Sequence, residues 1–185
     1  PGSSEPEFLE LGVADVLTGE PISADMHFRI AQVTSTFVST VVLQLVDEGS
    51  ISLDDTIASV LPDLDLANVE VATVRNLLAM RSGVPEFWDN PDYFAAYWHD
   101  FRDFTKSFDF WEWAPTIADY PARAEPDTMY SDGFIDYLIL GEIIQQVTGE
   151  SWIANVQARI LDPLGLNNTV YPDDPEMPEP YAVGY

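Results

Sequence analysis

Two polar side chains three residues apart, Gln32 and Ser35, open the apolar run "FRIAQVTSTFVSTVVLQLVDEG" from Phe28 to Gly49. At that spacing on a helix they are neighbours on one face. A serine hydroxyl attacks a carbonyl carbon only when a base takes its proton, and a carboxamide is neither nucleophile nor base. A second group, Tyr130-Ser131-Asp132, supplies a phenol and a carboxylate. Two readings of each group stay open. Ser35 with Tyr130 would make a rebuilt nucleophile and base; alternatively, Gln32 and Ser35 satisfy the free N–H groups of a helix start. Tyr130 and Asp132 would rim a site for an amide-bearing ligand; alternatively, Asp132 caps a helix that starts near Gly133. Nothing else offers chemistry. Cysteine is absent, and His27 and His99 have no metal-ligand neighbour at a recognised spacing. The pairs Asp54–Asp55 and Asp173–Asp174 lack the spacing of a calcium loop. No cofactor and no metal are expected.

These groups must be positioned mostly by helices. The periodicity predicts a helix from about Gln32 to Glu48, stopped by Gly49. Its apolar residues, among them Val33, Val38, Val41, Val42, Leu43 and Val46, cover most of its circumference, which implies burial on more than one side. Shorter helices are expected in "SLDDTIASVLPDL", capped by Ser52 or Asp54, and in "TVRNLLAM", capped by Thr73. "GFIDYLILGEIIQQVTG" predicts a long helix ending at Gly149, and "SWIANVQARIL" another capped by Ser151. Alternation of Leu9, Leu11 and Val13 predicts one strand, followed by a turn around Gly19 and Pro21. Twelve aromatic residues between Phe87 and Trp113 form either the core of a helical subdomain, the reading we favour, or an aromatic pocket.

The 185 residues carry 32 acidic and 7 basic side chains, a net charge of -25, with Lys106 the sole lysine. That charge repels phosphate backbones and anionic lipid, so neither nucleic acid nor a membrane surface is expected as a partner. No apolar run reaches the length of a membrane span, so no membrane insertion is expected. A hydrophobic content of 46% is too high for disorder. Dispersed acidity fits a high-salt habitat, an arginine-biased genome or an extracytoplasmic location about equally. Residues 1–7 read as a tag or flexible end.

Six stretches in order resemble the serine β-lactamase and penicillin-binding DD-carboxypeptidase superfamily, in particular its class C β-lactamase-like members. They are "GVADVLTGEPIS", "FRIAQVTSTF", "LQLVDEGSISLDD", "VRNLLAMRSGVPEF", "YSDGFIDYLILGEIIQQVTGESW" and "ILDPLGLNNTVY". The resemblance implies an α/β (α+β) fold of the β-lactamase/transpeptidase type, of which residues 1–185 would carry mainly the helical subdomain with few strands. It implies an extracytoplasmic location and a peptide or β-lactam-like ligand. It also implies a site built from Ser-x-x-Lys at a helix start, Tyr-x-Asn on a loop, and a Lys/His-Thr-Gly strand. Here the first motif falls on Gln32 to Ser35, with Gln for Ser and Ser for Lys. The second falls on Tyr130 to Asp132, with Asp for Asn, and stands about two residues further from Gly141 than the family pattern. No Ser-x-x-Lys occurs anywhere, since Asp103 precedes Lys106 by three. The third would lie after Tyr185.

These departures predict a non-hydrolytic protein. The alternatives are an active serine hydrolase with a rebuilt or engineered site, and an interaction module or fragment needing a partner chain. Few strands leave the helix face of Val38, Val41 and Val42 without its sheet. A complementary C-terminal segment or a homo-oligomer is therefore expected to cover that face.

Overall fold

The computed structural model describes residues 8–92, 95, 109–171 and 176–183. His99, Lys106, Asp173–Asp174, residues 1–7 and much of the aromatic block lie outside the described residues. The chain divides into two compact units, one of Gln32–Asn167 and the other of Pro1–Ala31 with Asn168–Tyr185.

The larger unit is helical. Its first long helix, α1 (Thr34–Asp47), follows a 3-10 turn at Ala31–Val33. Then come α2 (Ile57–Val60), α3 (Val74–Leu78), a 3-10 turn at Phe87–Asp89, α4 (Phe110–Trp113) running into a 3-10 turn at Ala114–Ile117, and α5 (Ile135–Thr148). Helix α6 (Trp152–Val156) continues through a π turn into α7 (Asp162–Leu164). The core lies where α5 meets α1, α3 and α6. Ile139, Leu140, Ile143 and Ile144 of α5 are fully buried there with Val41, Val42 and Leu77. Phe87 and Phe110 join this core edge to face, with ring centroids 6.4 Å apart. That supports the core reading for the described part of the aromatic block.

Local signals set most boundaries. Gly149 ends α5 at φ +75°, a conformation open to glycine without a Cβ penalty. Thr73 caps α3, accepting from the Asn76 N–H, while the Asn76 side chain accepts from the Thr73 N–H at 2.9 Å. We predict that Thr73→Ala lowers unfolding stability by about 1 kcal/mol in urea melts. Ser151 caps α6 as expected. The cap of α2 is neither Ser52 nor Asp54 but Thr56, which accepts from the Ser59 N–H. Ser52 and Asp54 are occupied earlier: the Asp55 carboxylate accepts from the Ser52 N–H, and the Ser52 hydroxyl from the Asp54 N–H.

Two expectations about α1 require correction. Val38, Val41 and Val42 need no second chain, because this chain's own helices bury them. The helix is also not buried all round. Val33, Thr36, Thr40 and Leu43 form an exposed stripe. Thr36 and Thr40 turn their hydroxyls back onto the Val33 and Thr36 carbonyls. At its far end α1 is tied down by Arg159, whose guanidinium donates to both Glu48 oxygens at 2.6 and 3.3 Å.

The smaller unit holds β1 (Val13–Asp15) and β2 (Glu20–Pro21), paired antiparallel. The alternating stretch is therefore only partly a strand. Leu9 and Leu11 lie before β1 and are 83% and 73% exposed, without a neighbouring strand among the described residues. The turn spans residues 16–19 and so includes Gly19, as expected, while Pro21 lies in β2. His27 donates its N–H to the Pro180 carbonyl at 2.8 Å, and Val183 bonds Ala14 in the same way at 2.9 Å. No described helix is long and apolar enough to cross a membrane.

Candidate functional site

Gln32 sits in the 3-10 turn before α1 and is exposed, and Ser35 lies in the first turn, half-buried. The cap position falls on Val33, and no side chain caps the helix. The expected helix-start role of Gln32 and Ser35 is thus corrected. The 3-10 turn moves the cap onto a residue without a hydroxyl and puts Ser35 inside the helix.

The Tyr130 side is linked to α1 through a second tyrosine. One turn beyond Ser35, Ser39 donates its hydroxyl to the Thr36 carbonyl at 3.1 Å and lies close enough to the Tyr137 phenol on α5 to influence it. Tyr137 donates to the Leu78 carbonyl at 3.2 Å, and Tyr130 reaches the Met80 sulfur at 3.5 Å. Both phenols therefore end on the segment that leaves α3. Burial raises the Tyr137 phenol above its ordinary value; Ser39 pulls it down, and Asp136 and Tyr130 push it up.

The backbone around these groups is strained. Met80 and Asp127 have φ of +54° and +65°, unusual for residues with a Cβ. Asp127 is held by Arg81, which donates to its carbonyl. Ser131 donates its N–H to the Met80 carbonyl at 2.9 Å. Such outliers persist only where surrounding contacts over-determine them, and they cluster at functional sites.

Asp132 is exposed and does not cap α5; the cap position belongs to Phe134, whose side chain makes no capping hydrogen bond. The free N–H groups there are met from across the fold by Glu86. One of its oxygens accepts from Ile135 at 3.2 Å, the other from Phe87 at 3.0 Å, and Phe134 also bonds this carboxylate. Glu86 is 1% exposed. A Cβ on Gly133 would come within 1.9 Å of its Oε2, so only glycine lets the loop approach this closely. Next to it, Asp136 is 4% exposed and accepts from the Ser82 hydroxyl at 2.5 Å. Its Oδ2 is buried without a hydrogen-bond partner.

Burial pushes the Asp136 carboxyl up to about 7; the Ser82 hydroxyl and N–H pull it down, Glu86 pushes it up and Arg123 pulls it down. Burial also raises Glu86, against its three backbone N–H bonds and the charge of Arg123. Arg123 itself lies 3.5 Å from Asp89 and donates to the Ser131 hydroxyl at 2.7 Å.

The sequence reading missed Glu86, Ser82, Asp136 and Arg123. A usable signal was present for Asp136, which falls on the same stripe of α5 as Leu140 and Ile143, where an apolar residue is the rule. The described residues contain no cluster fit to hold a metal ion. Gln32 in the turn before α1 and Ser35 in its first turn, with Tyr130 and Asp132 on the loop before α5, offer hydroxyl, amide and carboxylate groups. These suffice to hydrogen-bond an amide.

Comparison with known proteins agrees with this architecture. The sequence profile of the Beta-lactamase family matches residues 6–185. Penicillin-binding protein 4 of Amycolatopsis lactamdurans is 32% identical over 167 residues, covering 88% of this chain and 40% of that protein. The crystal structure of a D-stereospecific amidohydrolase from Streptomyces sp. is similar with a TM-score of 0.73 at 27% identity, covering 78% of this chain and 44% of that one. D-amino acid amidase from Ochrobactrum anthropi SV3, complexed with L-phenylalanine amide, is similar with a TM-score of 0.66 at 28% identity, covering 83% and 40%. This chain spans under half the length of each of these relatives. The mostly helical chain, with few strands, forms part of a β-lactamase/transpeptidase-like fold. With the profile matched over nearly all of its residues, the chain belongs to the Beta-lactamase family of serine hydrolases.

Proposed function

We propose that this chain is a non-hydrolytic member of its family, one that keeps the scaffold and a rim for an amide-bearing ligand but forms no acyl-enzyme. The observation that carries this reading is the pair at the start of α1. Gln32 and Ser35 stand where the family motif has serine and lysine, and no Ser-x-x-Lys exists elsewhere in the sequence. An amide nitrogen, its lone pair delocalised into the carbonyl, does not attack an ester or lactam. Ser35 has a hydroxyl, but the group that would have taken its proton is the lysine it replaces. Loss of nucleophile and base together costs about four orders of magnitude or more in rate. Tyr130 and Asp132 fill the positions of the second motif and would form the binding rim. The amidase relative bound to L-phenylalanine amide supports an amide as the ligand class.

The test is exposure of the chain to a labelled penicillin and to a fluorophosphonate probe, read by intact-protein mass. No adduct is expected on the native chain, and a stable adduct would overturn the reading. The Gln32→Ser, Ser35→Lys double variant restores both groups. Labelling of that variant alone would assign the silence to these two positions.

A further inference from the structure

Two carboxyls and an arginine lie behind the loop that carries Tyr130 and Asp132, and no family motif uses them. Glu86 and Asp89 sit at the start and end of one short turn, and each grips the loop at a different point. Glu86 holds the Phe134 and Ile135 N–H groups. Asp89 accepts from the Glu86 N–H at 3.0 Å and pairs with Arg123, which in turn holds the Ser131 hydroxyl. Trp88, between the two acids, packs its ring on Phe134 with centroids 5.6 Å apart. The loop is thus hung from a single turn of chain, with Gly133 seated against the Glu86 carboxylate.

Asp136 makes this grip sensitive to charge. Both Glu86 oxygens accept from backbone N–H groups, a set of bonds that favours the ionised form. The amino end of α5 adds a partial positive charge beside Glu86. Asp136 has one satisfied oxygen and one buried without a partner. A neutral carboxyl tolerates that far better than an anion does. Two neighbouring buried acids do not both ionise freely, so the pair holds one proton and Asp136 carries it. Facing Asp136 are Glu86 and Arg123 across the fold, Ser82 beyond α3, and Tyr137 beside it. The buried residues that α1, α2 and α3 contribute include no charged side chain.

We infer that Glu86 is the positioning residue of the Tyr130–Asp132 loop, and that losing the single proton of the Glu86–Asp136 pair to solvent unseats that loop. Once Asp136 ionises, its charge and that of Glu86 repel each other near the α5 amino end. The cheapest relief is for the loop to lift and admit water, because Asp132 and Phe134 are already exposed and Ser131 is only half-buried. This inference concerns loop position alone and holds whether or not the chain can be acylated.

The test is amide hydrogen exchange on the full chain, followed by mass spectrometry of peptides covering residues 130–140 from pH 5.5 to 8.5. Protection is expressed relative to the unfolded peptide at each pH. In the native chain it is expected to fall about tenfold or more across that range, with a midpoint near 7. Asp136→Asn should hold its protection across the range. A flat native profile, or the same fall in Asp136→Asn, would overturn the proposal. Should that variant fail to fold, Ser82→Ala decides. It removes the hydroxyl that favours ionised Asp136, so the midpoint should move to higher pH, and an unmoved midpoint refutes the inference.

Discussion

At pH 8 the Asp136→Asn variant is expected to unfold about 5–10 °C above the native chain, and below pH 4 the two should melt together. The sign follows from proton binding. The folded chain holds the Asp136 proton up to about 7, against an ordinary value of 3.8. Between those values the native state binds a proton that the unfolded chain has released, so stability falls as pH rises. The contribution is complete below 3.8, is lost progressively up to about 7, and is absent above. Fully expressed, the loss is about 2–4 kcal/mol. Asparagine keeps a carbonyl that can accept from the Ser82 hydroxyl, and its amide replaces the unpartnered oxygen without a charge. The variant should therefore lack this part of the pH dependence. Thermal melts of both proteins from pH 4 to 8 give the answer. Parallel curves over that range would show that Asp136 is not a buried neutral acid.

Gly83→Ala should be among the most damaging single-methyl additions in this chain, costing about 3–5 kcal/mol by urea unfolding. Two independent penalties coincide there. Gly83 has φ +68°, where a side chain costs about 1–2 kcal/mol. A Cβ would also lie 2.1 Å from the Ala124 carbonyl oxygen and 2.9 Å from the Asn68 side-chain nitrogen. Neither obstacle can swing aside. Asn68 donates to the Ser82 and Ala124 carbonyls at 3.0 and 2.8 Å, and Arg123 donates its N–H to the Gly83 carbonyl at 2.8 Å. Three strands of chain are stapled at this one point, and the arginine that holds Ser131 leaves from it. A loss below about 1 kcal/mol would mean that these segments part more easily than their hydrogen bonds imply.

Helix existence was legible because its signals are local. The apolar stripe of α5, the glycine at its end, and the Thr73–Asn76 capping pair each lie within a few residues of what they determine. Errors arose where a partner lies far along the chain. Asp132 has the right type and place to cap α5, yet Glu86, 49 residues from Ile135, does so. Val38, Val41 and Val42 read as surplus apolar surface, but α5 and α6 supply their cover. The strand at Leu9 to Val13 read correctly as alternation and yet forms only at Val13, because a ladder needs a neighbour as well as a pattern.

The amino-acid sequence by itself determined the family, most of the helices and which groups stand at the helix start. These rest on residue identity and short-range spacing: no arrangement of the backbone turns Gln32 into a nucleophile or gives Ser35 an amine. Tertiary structure alone decided what stands behind the Tyr130–Asp132 loop. Whether Glu86 is a solvated surface acid or a buried cap, and whether Asp136 keeps its proton, depends on which distant groups exclude water from them. Burial and long-range hydrogen bonds set those properties, and neither is written in the residues beside them.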